Sequence, residues 1–435
     1  MITIFWNFRI VDAQTDEIGT VITDSGKIID VLLKNKKATA SLKKYITDGH
    51  VLLDGGGSYI LMPGFIDVHA HFRTPGYEQK ECIESASLAA SAGGFTTVVC
   101  MANTKPVTDN LEQAAAIKKR ADLIGLVDLY PALSLTKKME GKALSEMSRL
   151  EASLSLPAKR REAAVPYRPL LLSEDGRDVK SSGVFKQAFR TAAKLGIPVS
   201  CHCDIGGEDE GTERALKIGM AAGAHVHIAH VSSKNALKHI RKAKAELRGI
   251  PTLEEGRAWV SCEATPHHIA LTEKDARTAG EQSFGKVMPP LRKQSDRRAV
   301  IDAIFDGTID IIATDHAPHT MDDKEKGAPG FSGMETAFAV CHQTLTLEHK
   351  LPLSRLSALL SYNPAMFLGL HDRGLIQTGL LADLVIVKDD EKWIFNAETS
   401  KSRGRNNLFT NTELTGKVLF TMRAHGSTIT PLGCL

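Results

Sequence analysis

The chain lacks the features that would take it out of the soluble globular class. Net charge is small: 54 Lys and Arg stand against 51 Asp and Glu, leaving +3. No overall field draws such a chain to nucleic acid or to an anionic membrane, so a small molecule is the expected partner. No apolar run approaches the roughly 20 residues needed to cross a bilayer. Met1 to Ile10 (MITIFWNFRI) carries neither a basic start nor a small-residue cleavage site, and the expected location is cytoplasmic. With 35 Gly and 17 Pro in 435 residues, low-complexity and fibrous classes are excluded. The seven Cys are odd in number and show no framework spacing, which fits reduced thiols rather than disulfides. Neither a GxSxG elbow nor a Walker sequence is present, so nothing points to serine-hydrolase or phosphate-loop chemistry.

What is present is a series of short apolar runs rich in β-branched residues, each followed by a stretch with helical spacing. They are LMPGFIDVHAHF from Leu61, FTTVVCMANT from Phe95, LVDLYPALS from Leu126, RPLLLSED from Arg168, IPVSCHCD from Ile197, HVHIAHVS from His225, WVSCEATPHH from Trp259 and IDIIATDH from Ile309. Eight parallel strands alternating with helices predict a (β/α)8 TIM barrel over residues 61–374, with a doubly wound sheet as the alternative. The barrel is favoured because several runs finish in His, Asp or Glu, at the face where barrel enzymes carry their sites. Residues 1–60 and 375–435 read as short strands around turn signals such as TDSGK, and together they predict a small flanking β-domain. The basic stretch from Ser148 to Pro166 reads as a solvated loop or short helix.

His69 and His71 lie two apart near a strand end, and the period of two turns both imidazoles to the same side. His202 in CHCD, His230 in AHVSS and Asp315 in ATDHAPH close three further runs. Imidazoles and carboxylates converging on one face are costly to bury unless paired or metal-bound, and this donor set suits zinc. Glu174 and Asp175 in LLSEDG supply a carboxylate that could bridge two ions; Asp175 before Gly176 also reads as a plain turn residue. Cys201 and Cys203 alternate away from His202 and read as packed thiols. Zinc lowers the pKa of a bound water from about 15.7 to about 7 and polarises a carbonyl, so hydrolysis of an amide is the natural chemistry. Asp315 beside the metal is the candidate to carry the proton to the leaving nitrogen.

MPGFIDVHAHFR, MANTKP, SEDG, CHCD, AHVSS, TPHH, KVMPPLR, ATDHAPH and SYNPA, taken in order, resemble the dihydroorotases of the amidohydrolase superfamily, type I-like. The resemblance implies a zinc-dependent enzyme interconverting L-dihydroorotate and N-carbamoyl-L-aspartate in pyrimidine synthesis. It implies His69 and His71 as ligands of a first metal, His202 and His230 of a second, Asp175 as bridge, and Asp315 as ligand and proton carrier. Arg73, Asn103 and His319 correspond to the group that holds the substrate carboxylate. Met288 stands in KVMPPLR where the family usually has Asn, and His267 in TPHH competes with His230. One zinc ion or two is left open, as is the choice between Glu174 and Asp175. A homodimer is the expected assembly by analogy. Two other readings remain: a dihydropyrimidinase, hydantoinase or allantoinase, which has no need of Arg73, and an inactive scaffold supporting aspartate carbamoyltransferase. The polar loop HTMDDKEKGAPG after Asp315 is the candidate lid.

Overall fold

The computed structural model describes residues 2–33, 45, 50–157, 159–160, 164–204, 206–248 and 259–424. The chain opens with antiparallel strands β1 (Thr3–Val11), β2 (Asp16–Asp24) and β3 (Lys27–Leu33). In the TDSGK turn, Ser25 and Gly26 have φ of 49° and 78°, the paired positive values of a two-residue hairpin turn that matches strand twist. β4 (Val51–Asp54) and β5 (Ile60–Pro63) then run parallel to β1.

The barrel follows. Its strands are β6 (Phe65–Ala70), β7 (Phe95–Cys100), a third in two pieces, β8 (Asp128–Pro131) and β9 (Leu133–Ser134), then β10 (Leu172–Ser173), β11 (Val199–Cys201), β12 (His225–Ile228), β13 (Trp259–Ala264) and β14 (Ile311–Ile312). Pairing is parallel between successive strands. Ala132 spans the break in the third strand by donating to the Cys100 carbonyl. The ring closes where Ala70 bridges His316 and where Asp67 accepts from the Thr314 amide. Each expected run supplies one strand of the barrel, the third in two pieces, and the fold is a (β/α)8 barrel.

Helices α1 (Ile83–Ala92), α2 (Leu111–Ile124), α3 (Met147–Ser153), α4 (Ser182–Leu195), α5 (Glu208–Ala221), α6 (Lys234–Leu247) and α7 (Gln294–Phe305) form the outer layer. α4 shows why: Ser181 caps its start, and Phe185, Ala188, Phe189 and Ala192 form one buried stripe at helical spacing. α3 lies in the basic stretch before the fourth strand and buries Leu150 in the barrel core; residues 158 and 161–163 of that stretch lie outside the described residues.

The flanking sheet is completed from the other end of the chain. β15 (Leu384–Ile394) pairs antiparallel with β5, Val385 opposite Met62, and β16 (Glu413–Met422) pairs with β15. The strand order is β16-β15-β5-β1-β2-β3, with β4 also on β1. Two expectations about boundaries change. The run from Leu61 is two strands, and the sheet-to-barrel break falls at Gly64 rather than at residue 61. Gly64 donates to the Asp383 carbonyl, and a Cβ there would meet the Thr96 side chain at 2.4 Å, so only glycine lets the chain pass from one layer to the other. Residues 395–412, assigned to the flanking domain, instead fold back over the barrel: Phe395, Ala397 and Phe409 share a core with Val287, Leu291 and Phe331. No described helix is long and apolar enough to cross a membrane.

Candidate active site

The strand ends bring the sequence candidates together. His69 and His71 end the first strand, and His69, His202 and His230 present ring nitrogens within 4.8 Å of one another. His69, His71 and Asp175 form a second such group, so His69 belongs to both. His69 thus lies close both to His71 and to His202 and His230, the two sets that the resemblance implies for separate ions. The Nε2 atoms of His69 and His202 face each other at 3.2 Å. Asp315 Oδ1 lies 3.1 Å from His71 Nε2 and 3.4 Å from His69 Nε2. Asp175 points one oxygen at His71, at 3.3 Å, and the other at His202, at 3.4 Å. Its neighbour Glu174 turns away, accepting from the amides of Leu135 and Thr136 and from the Thr136 hydroxyl. His267, the competitor of His230, joins neither group; it is buried against His268 and Phe331, and among the described residues neither ring nitrogen has a hydrogen-bond partner.

The electrostatics suit a bound cation. Burial opposes charge on His69, but Asp315, Glu263 and Asp175 overcome it and hold the imidazole up to about 10. Burial would likewise raise Asp315, yet His69, His71 and His230 keep it well below the usual carboxylate range. His202 is pushed down to about 4, chiefly by burial. His202 is thus a neutral imidazole beside ionised carboxylates, the protonation state that a metal ligand needs, whereas His69 carries a proton that a bound cation would displace. The donor set of imidazole nitrogens and carboxylate oxygens therefore fits a divalent ion.

Three non-glycine residues of this face, Arg73, His230 and Asp315, have φ of 55°, 32° and 45°. Each such conformation costs of order 1–3 kcal/mol and persists only where surroundings impose it. Arg73 Nη2 lies 3.3 Å from His319 Nε2, and its Nε reaches the Pro318 carbonyl at 3.4 Å. Among the described residues no carboxylate forms an ion pair with Arg73. The nearby Glu81 is engaged by His316, Ser402 and Ser85. Asn103 Oδ1 meets His71 Nδ1 at 3.0 Å and its Nδ2 donates to Asp175 at 3.2 Å. Met288 is 41% exposed. Cys201 and Cys203 are buried free thiols, and burial pushes Cys203 up to about 12. The loop after Asp315 is tied down. Lys324 is buried and its ammonium donates to the carbonyls of Lys286, Ala328 and Gly330.

Four residues were not singled out from sequence. Glu263 accepts from His69 Nδ1 at 2.6 Å, from His227 Nε2 at 3.1 Å and from the His230 amide at 3.2 Å, so one carboxylate orients two candidate ligands. Its signal was available: Glu263 stands two residues after Ser261 in the seventh run and shares its face toward His227. Asp67, two before His69, ties the first strand to the eighth. Lys80 Nζ lies 3.3 Å from His319 Nδ1, and Asn406 Oδ1 accepts from the His319 amide. Nothing local in the sequence marks these last two.

Residues 60–424 match the model of the amidohydrolase family. A dihydroorotase of Clostridium botulinum is 35% identical over 427 residues, covering 96% of this chain and 97% of that protein. A dihydroorotase of Syntrophus aciditrophicus is 36% identical, covering 91% and 93%. The chain belongs to the dihydroorotases of the amidohydrolase family. In fold it also resembles an L-hydantoinase (dihydropyrimidinase) from Arthrobacter aurescens, with a TM-score of 0.82 at 22% identity over 98% of this chain and 97% of that one. That likeness is one of architecture.

Proposed function

We infer that the chain is a dihydroorotase, interconverting L-dihydroorotate and N-carbamoyl-L-aspartate in pyrimidine synthesis. The observation that carries this reading is a half-buried guanidinium, Arg73, with no carboxylate ion pair among the described residues, beside a cluster of four imidazoles and two carboxylates. His69, His71, Asp175, His202, His230 and Asp315 would hold one or two zinc ions, with Asp175 favoured over Glu174 as the shared ligand because Glu174 is spent on the loop after the third strand. When bound, the ion lowers the pKa of a water and polarises the ring carbonyl. Asp315 is ionised and hydrogen-bonded by His71, so it can accept the proton that the attacking water loses. As the ring C–N bond breaks, Asp315 returns that proton to the leaving nitrogen; ring closure runs the same transfers backwards. Arg73, Asn103 and His319 take the substrate carboxylate, and Asn103 also bonds His71 and Asp175. Buried free thiols support a cytoplasmic setting, and a homodimer is the working assembly.

Comparative turnover tests the assignment. Protein purified without chelators should contain zinc, turn over dihydroorotate, and hardly touch dihydrouracil, which lacks the carboxylate. Equal turnover of the two would favour the dihydropyrimidinase reading, and absence of both metal and activity would favour a scaffold.

A further inference from the structure

His319 is buried between two cations: Lys80 Nζ lies 3.3 Å from its Nδ1 and Arg73 Nη2 lies 3.3 Å from its Nε2. Ammonium and guanidinium groups only donate, whereas a neutral imidazole has one N–H and one accepting nitrogen. Burial, Arg73 and Lys80 push His319 down to about 3, so the ring is neutral. Only one of the two contacts can then be a hydrogen bond; the other sets donor against donor. Lys80 is the more firmly placed of the two cations. Its Nζ lies 3.4 Å from Asp323 Oδ2, and Asp323 is itself held by the Thr320 hydroxyl at 2.8 Å. Arg73 is held through Nε by a carbonyl, which leaves its terminal nitrogens for something else. Two other charges lie near the ring: Asp323, whose Oδ2 is 3.9 Å from His319 Nδ1 and is taken up by Lys80 and the Thr320 hydroxyl, and Lys324, whose ammonium is filled by three carbonyls.

We propose that Lys80 is a positioning residue that keeps His319 Nδ1 as acceptor, so that Nε2–H and the Arg73 guanidinium together face one small carboxylate. A carboxylate placed there accepts from both groups and removes the donor-against-donor contact. The anion would be the substrate's own carboxylate, and to that extent the proposal rests on the dihydroorotase reading.

Three variants and one spectroscopic signature test it. In the metal-loaded enzyme, Lys80→Met should raise KM for dihydroorotate and for N-carbamoyl-L-aspartate about tenfold or more, with kcat changed far less and metal content unchanged. Lys80→Arg, which preserves a donor-only cation, should recover most of the loss. In protein labelled with 15N in the imidazoles, the His319 signals, assigned by their loss in His319→Gln, should show a protonated Nε2 and a bare Nδ1. Lys80→Met should shift them toward the opposite tautomer. A parent His319 protonated at Nδ1, a tautomer indifferent to Lys80→Met, or a fall in kcat at constant KM would each overturn the proposal. Should the enzyme not act on dihydroorotate at all, the functional reading fails, while the tautomer measurement still decides the role of Lys80.

Discussion

At the base of the barrel, Asp128 at the start of β8 pairs with Arg373 at 2.7 Å and with Arg423, while Asp383 lies 3.3 Å from Arg373. At the mouth, Asp175, Asp315 and Glu263 face histidines, and no Lys or Arg forms an ion pair with any of them among the described residues. Both groups are buried, but they differ in balance. The buried charges balance, two guanidiniums against two carboxylates, with the exposed Asp372 also 2.9 Å from Arg373, and they clamp the flanking sheet onto the barrel floor, Arg373 also donating to Thr97. The mouth has an excess of carboxylate that only a bound cation or a protonated imidazole can offset. Burying charge costs several kcal/mol per ion unless it is compensated. A balanced cluster is thus sufficient for architecture alone, whereas an unbalanced one points to a ligand. Strain follows the same division, since the positive φ values of Arg73, His230 and Asp315 lie at the mouth.

The sharpest way to probe the contrast is Asp315→Asn. Activity should fall at least about a thousandfold, with fold and most of the metal retained, because the proton carrier is lost while the imidazoles remain; steady-state assay and metal analysis on the same preparation check this, and an active variant would sink the mechanism. The counterpart at the base is Arg373→Met, expected to cost about 3–5 kcal/mol in urea unfolding because Asp128 and Asp383 are left buried with one cation fewer. Its folded fraction should keep its metal; a variant as stable as the parent would show that the base cluster is not the clamp described here.

Arg73→Met should reduce kcat/KM toward dihydroorotate about a hundredfold or more without loss of metal, since a desolvated, bidentate partner of the carboxylate disappears. If metal is lost instead, Arg73 belongs to the support of the ligands and not to the substrate pocket. The smallest effect concerns the adjacent carboxylates. Asp175→Ala should lower metal per chain, whereas Glu174→Ala should leave it unchanged and cost only stability through the amides of Leu135 and Thr136. The reverse result would move the bridging role to Glu174.

The alternation of apolar runs with helical stretches was sufficient to place the barrel strands, because parallel strands buried on both faces leave a continuous hydrophobic signature. It could not show that LMPGF divides at Gly64, since an apolar run reads alike whichever layer it enters. Metal-ligand candidates were legible because they stand at strand ends in short motifs: His69, His71, His202, His230 and Asp315 needed only alternation to be aimed inward. Glu263 was within reach of the same argument. Lys80 and Asn406 were not, because each reaches His319 from a distant part of the chain and neither lies on a periodic element.

Local pattern, then, determined which residues face the barrel axis and which end of each strand is polar, since both depend on the two-residue period of a single strand. Tertiary structure decided the rest. The closeness of His69 to both ligand groups, the turning of Glu174 toward the third strand, the bonding of Asn103 to His71 and Asp175, and the placing of His319 between two cations all depend on distances between separate strands and loops. Those distances are set by barrel closure and by the segment 395–412 folding back over it, and no sequence window contains both partners.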